Sequence, residues 1–151
     1  MTIKEYPQDT IAAQAIGYWT GAARDIIVGN LRTALAEEDL TQPHWWILNH
    51  LAGAPGHWTR TTLTTKLTPF DDQNTDFEAV HTDLADRGWT TETEGRLTLT
   101  PTGEAGRQRA KTRNLKVHHR MRTEVPETDY AATINTLRRL IDNLGGNSDL
   151  P

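Results

Sequence analysis

Cysteine is absent from this 151-residue chain, which removes disulfides, thiolate metal sites and thiol redox sensing together. No apolar run approaches the roughly 18 residues that cross a bilayer, and the opening stretch MTIKEYPQDT has acids where a signal peptide has its apolar core. The expectation is a cytoplasmic protein that makes no membrane contact. Serine occurs once, at Ser148, and neither a glycine-rich phosphate loop nor a nucleophile with its base stands out. No enzyme is expected and no catalytic residue is assigned. The six histidines show no i, i+4 ligand spacing, and the adjacent His118 and His119 would point about 100° apart on a helix. Neither a metal nor a cofactor is expected.

What is present is an uneven distribution of charge. The formal net charge is only -4, yet residues 59–95 carry eight acids (Asp71, Asp72, Asp76, Glu78, Asp83, Asp86, Glu92, Glu94) against Arg60, Lys66 and Arg87. Residues 96–122 reverse this, with eight bases (Arg96, Arg107, Arg109, Lys111, Arg113, Lys116, Arg120, Arg122) and one acid, Glu104. An asymmetry of this kind calls for an explanation in terms of partners. The chain is long enough for one domain with a real core, or for a small domain with a dimerisation element.

Periodicity divides the chain. Residues 1–10 read as a flexible arm. From Ile11 an apolar stripe (Ile16, Trp19, Ala23, Ile26, Ile27, Leu31, Ala34, Leu35) predicts one helix of about seven turns, on the order of 40 Å long. Thr41 with Pro43 starts another that ends at Gly53, and Trp58-Thr59 opens a short one reaching Leu67. Phe70, Phe77, Val80 and Leu84 predict an amphipathic helix over 70–88, stopped by Gly88. WTTET and RLTLT, on either side of Glu94-Gly95, predict a β-hairpin. A basic helix opens at Thr102-Gly103-Glu104, and the last helix carries a heptad seam of Tyr130, Ile134, Leu137, Ile141 and Leu144. The fold class expected is mainly α with a small β-hairpin wing: a winged helix-turn-helix lobe over 40–103, and helices over 11–38 and 104–146 for dimerisation. Such a lobe usually places its second helix in a DNA groove.

Three stretches resemble the MarR family of bacterial transcriptional regulators. Leu40-Thr41-Gln42-Pro43-His44-Trp45-Trp46-Ile47-Leu48 is similar to the family's opening of its second helix. Leu84-Ala85-Asp86-Arg87-Gly88-Trp89 is similar to its recognition-helix exit, and Leu99-Thr100-Pro101-Thr102-Gly103 to its second wing strand running into the fifth helix. The resemblance implies a homodimer that binds a palindromic operator in double-stranded DNA and responds to a small aromatic ligand. Two departures push the same way: the wing tip is Glu92-Thr93-Glu94-Gly95 where the family has a basic hairpin with an Asp-X-Arg motif, and the recognition helix is acidic.

For DNA binding the candidates are Gln73, Asn74, Thr75 and His81 toward base edges, and Arg60, Lys66 and Arg96 toward phosphates. For the ligand, the family's cleft between its dimerisation and DNA-reading parts implies Tyr18, Trp19, His44, Trp45 and Trp46, which offer aromatic faces with polar tips. The acids leave a second reading open. Carboxylates oppose a phosphate backbone, and the 107–122 arginines would instead pair with the acids of 70–89, in a protein that has weak or lost DNA binding and acts as a small-molecule-binding or protein-interaction module.

Overall fold

The computed structural model describes residues 3–151, so the first two residues of the expected arm lie outside the described part. The chain divides into two units, one ending at Val117 and one running His118–Pro151. In the first, α1 (Gln8–Ala12) and α2 (Ile16–Ala36) are followed by α3 (Gln42–Gly53), α4 (Arg60–Leu67), α5 (Phe77–Asp86), a hairpin of β1 (Thr90–Thr93) and β2 (Arg96–Leu99), and all but the last turn of α6 (Pro101–Met121). The helix, turn, helix and hairpin of a winged helix-turn-helix are therefore present in the expected order.

The core is built by contributions from most elements of this lobe. Leu35 at the end of α2, Leu40 between α2 and α3, Ile47, Leu48 and Leu51 on α3, Leu63 and Leu67 on α4, Phe77, Val80 and Leu84 on α5, and Leu97 on β2 are buried in one cluster. Thr59 caps α4 by accepting from the backbone N–H of Thr62 at 3.1 Å, which compensates for the poor helix propensity of the threonines that follow. Asp76 caps α5 in the same way, through the N–H of Ala79 at 3.1 Å.

The hairpin pairs Thr90 with Leu99 and Thr93 with Arg96, so its turn is Glu94-Gly95. Both turn residues have positive φ, 52° and 75°, the two-residue turn whose twist suits an antiparallel pair. Trp89 then governs how α6 leaves the hairpin. A Cβ on Gly103 would overlap the Trp89 carbonyl oxygen, and one on Gly106 would overlap the indole ring. Only glycine lets α6 approach this closely.

Three helix expectations need correction. The predicted arm and long first helix are α1 and α2, interrupted at residues 13–15, so α2 has 21 residues and spans about 32 Å. Of its apolar stripe only Ala34 and Leu35 are buried, while Ile16, Trp19, Ala23 and Ile26 are exposed. The helix predicted from Phe70 starts at Phe77. Thr68–Phe70 is a short 3-10 turn with Phe70 exposed, and Asp71 binds the N–H and hydroxyl of Thr75 at 2.7 Å each, holding 71–75 as a loop. Asp side chains compete with helical hydrogen bonds in this way, and here the competition wins.

The second unit contains the last turn of α6 and α7 (Glu127–Asn143). The Arg122 guanidinium lies 4.0 Å from the centre of the Tyr130 ring. No residue of α7 is buried: of its heptad seam, Ile134, Ile141 and Leu144 are exposed and Tyr130 and Leu137 half-buried. Among the described residues no helix is long and apolar enough to cross a membrane.

Candidate functional site

The outward face of α5 follows from its inward one. Phe77, Val80, His81 and Leu84 are buried, which leaves Glu78, Ala79, Thr82 and Asp86 exposed along the opposite side. His81 was expected to face a groove; it is instead 2 % exposed, with its Nε2 3.2 Å from the Thr64 hydroxyl on α4. Gln73, Asn74 and Thr75, expected early on this helix, lie in the loop before it. Gln73 and Asn74 are exposed there, Asn74 at φ 52°, while Thr75 is tied to Asp71. None of the four residues on the outward face of α5 is among the expected groove contacts, because the hydrophobic spacing marks only the buried side.

Arg60 joins three elements at this face. Its Nη1 donates to Glu78 at 2.6 Å and to the Thr82 hydroxyl at 3.0 Å, and its Nε donates to Glu92 of the wing at 2.5 Å. Arg96, on the wing, donates to the carbonyl of His57 at 2.7 Å and pins the loop after α3. Lys66, in the last turn of α4, is exposed. Of the three cations expected at phosphates, two are therefore engaged within the lobe.

Two other acids of this region, Asp72 and Asp83, are paired as well. Asp72 sits between two arginines of α2, receiving Arg24 at 2.5 Å and Arg32 at 2.7 Å. The Arg24 hydrogen bond is the main reason its carboxyl lies below the usual carboxylate range. Asp83 receives Arg87 at 2.7 Å and His44 at 2.8 Å. The arginines of α6 turn elsewhere: Arg109 and Arg113 donate to Glu38 at 3.0 and 2.7 Å, Arg113 also to Glu37, and Arg107 to Glu104 at 2.8 Å and Asn49 at 3.1 Å. Within the single chain, Arg107, Arg109 and Arg113 do not pair with the acids of 70–89. The partners of Arg109 and Arg113, Glu37 and Glu38, lie just past the C-terminal end of α2, whereas Arg107 pairs within α6 and with α3.

His44 has a defined chemistry. The Thr41 backbone N–H can only donate, and it meets His44 Nδ1 at 3.2 Å, so Nδ1 is the acceptor and Nε2–H donates to Asp83. The ring is thus neutral. Burial lowers its pKa, and the opposing influence of Asp83 does not restore it.

A cavity of about 350 Å³ opens beside this network, lined among others by Arg32, Gln42, His44, Trp46, Asp72 and Val80. It brings together two of the five residues expected to hold a ligand, His44 and Trp46. Tyr18 and Trp19 are exposed on α2, edge to face at 5.3 Å, and Trp45 is half-buried against the core, all three outside the cavity lining. Arg32, which the sequence did not single out, supplies the cavity with a cation. Among the described residues no group of three or more acids or histidines could hold a metal.

No protein-family model matches the sequence, and no curated protein matches it. Solved structures do resemble the fold. A Mycobacterium tuberculosis MarR family protein in complex with DNA superposes with a TM-score of 0.66 at 20% identity, over 88% of this chain and 99% of that one. A MarR family transcriptional regulator from Silicibacter pomeroyi gives 0.67 at 16% identity, over 92% and 99%. The transcriptional repressor CouR bound to p-coumaroyl-CoA gives 0.65 at 23% identity, over 83% and 91%. The fold is the MarR-type winged helix.

Proposed function

We propose that this protein is a DNA-binding transcriptional regulator that acts as a homodimer on a palindromic operator and responds to a small aromatic ligand. The observation that carries the reading is the outer face of α5: an exposed strip of Glu78, Ala79, Thr82 and Asp86, beside a two-stranded wing, on a helix whose other face is locked into the core. Helix-turn-helix proteins read the major groove with this part of the second helix. The mycobacterial neighbour was solved with DNA and CouR with an aromatic acyl-CoA, in keeping with both partners.

Dimerisation follows from what each unit leaves uncovered. Ile16, Trp19 and Ile26 on α2, and Ile134, Ile141 and Leu144 on α7, are large apolar side chains exposed to water in the single chain. Burying such surface is worth about 25 cal/mol per Å², and a second copy is the partner proposed. Two reading helices related by a two-fold axis would meet half-sites about one DNA turn apart. The ligand would occupy the cavity between Arg32, His44 and Trp46, with the ring on the indole and a polar or anionic group toward Arg32. The 71–76 loop forms one wall of that cavity, so occupancy would bias the position of α5 and with it DNA affinity.

The exposed acids support a second reading, in which the lobe no longer binds DNA and serves as a small-molecule or protein-binding module. Asp76, Glu78, Asp86, Glu92 and Glu94 all border the reading face. Selection of binding sites from random duplex DNA at two salt concentrations, with the oligomeric state from sedimentation, separates the two. An enriched palindrome, a falling affinity with salt and a dimer are expected. A chain that enriches no site and shows no salt slope has the second function instead.

A further inference from the structure

This inference rests on the DNA-binding reading and concerns which bases the lobe selects. The first two turns of a recognition helix reach base edges, and on α5 the exposed residues there are Glu78, Ala79 and Thr82. A carboxylate can only accept hydrogen bonds. Guanine and thymine offer it acceptors in the major groove, and adenine places its N7 acceptor beside its one donor. Cytosine presents the N4 amino group with no acceptor next to it, and is the base a glutamate fits. Ala79 and the Thr82 methyl add small apolar surface suited to a thymine methyl.

The Glu78 carboxylate is also held ready. One of its oxygens receives Arg60 at 2.6 Å, and the same guanidinium takes Thr82 and the Glu92 carboxylate. The Glu78 side chain nevertheless remains 69% exposed, against 26% for Arg60. One oxygen is thus paired with Arg60 while most of the side chain stays open to solvent. This arrangement accounts for an acid on a surface that approaches phosphates: Arg60 is spent on orienting a reader.

We propose that Glu78 is the specificity-determining residue of the lobe, selecting a cytosine in each half-site through its N4 amino group, with thymine favoured beside it by Ala79 and Thr82, and that Arg60 is its positioning residue. Glutamine has the same length and pairs with the N6 and N7 of adenine. The test is selection from random duplex DNA with the full chain as wild type, as Glu78→Gln and as Arg60→Met, each first matched for helical content. The wild type is expected to enrich one invariant cytosine per half-site. Glu78→Gln should move that position to adenine, by on the order of tenfold to a hundredfold in relative affinity, and Arg60→Met should blur the position without moving it. An enriched site that Glu78→Gln leaves unchanged overturns this assignment and leaves the DNA-binding reading standing. If the wild type enriches no site, that reading fails and this one with it.

Discussion

His44 Nε2 stands 2.8 Å from a carboxylate oxygen of Asp83, so one hydrogen bond joins the first turn of α3 to α5. The same ring caps α3 by accepting the Thr41 N–H. Protonation would place a second hydrogen where that N–H already points. His81, on the other side of α5, is likewise buried with a lowered pKa, mainly from desolvation and then from the nearby Arg60, with Glu78 and Glu92 opposing. A histidine whose folded pKa is depressed binds protons more readily when unfolded, so its stability contribution is complete above the unfolded value of about 6.5 and is lost as pH falls below it. We expect thermal stability to decline between about pH 7 and pH 5, by up to roughly 1.4 kcal/mol per pH unit for each histidine. His44→Ala should lower stability by about 1–3 kcal/mol at neutral pH through loss of the hydrogen bonds to the Thr41 amide and the Asp83 carboxylate, and should flatten the acid slope. A melting temperature that does not change across this range would rule the account out.

Gly103 carries a different constraint. A side chain there meets the Trp89 carbonyl, with the carbonyl carbon 2.8 Å from the added Cβ, and backbone cannot move aside as a side-chain tip can. Gly103→Ala should therefore destabilise the lobe by about 1–3 kcal/mol, read as a shift in the denaturant midpoint. Gly106→Ala meets the edge of the indole instead, and Trp89 fluorescence should report its displacement. An unchanged midpoint in Gly103→Ala would mean that α6 packs less tightly than described.

The elements of the fold that were legible in the sequence are those with local causes. Thr41 and Thr59 marked helix starts, Gly88 a helix end and Glu94-Gly95 a turn, because caps and turns are settled by residues within four positions of one another. The start of α5 was misread for a related reason. Phe70 continued the hydrophobic spacing of Phe77, Val80 and Leu84, but Asp71 supplied a competing local partner for Thr75 that periodicity does not register. The site was less legible because its pairs are distant in the chain. Arg60 meets Glu92 across 32 positions and Arg113 meets Glu38 across 75, and no spacing rule links such residues. His81 illustrates the remaining ambiguity: a histidine on an amphipathic helix can face either way, and here the hydroxyl of Thr64 gave it a partner inside.

The wing turn offers a stabilising change. Glu94 occupies the left-handed region at φ 52°, which costs a non-glycine residue about 1–2 kcal/mol, and asparagine tolerates it better. Glu94→Asn should raise stability by about 0.5–1 kcal/mol and also remove one exposed charge from the wing tip. Its readouts differ: thermal unfolding reports the turn, while tighter binding to nonspecific duplex at low salt reports the charge. A lower melting temperature would contradict the turn assignment.

Asp72 ties the loop before α5 to α2, through Arg24 and Arg32. These are exposed ion pairs, so their contribution to global stability is small and is screened by salt. Their local effect is larger in kind, because the loop 71–76 has no buried apolar side chain of its own to hold it. Asp72→Asn should leave the melting temperature within a degree or two while speeding backbone hydrogen exchange across 71–76. In the wild type, rising salt should produce the same acceleration, since it weakens the same pairs. In Asp72→Asn, salt should add little. If exchange in this loop responds to salt equally with and without the Asp72 carboxylate, the tether lies elsewhere, and the cavity wall would then be set by the Asp71–Thr75 hydrogen bonds alone.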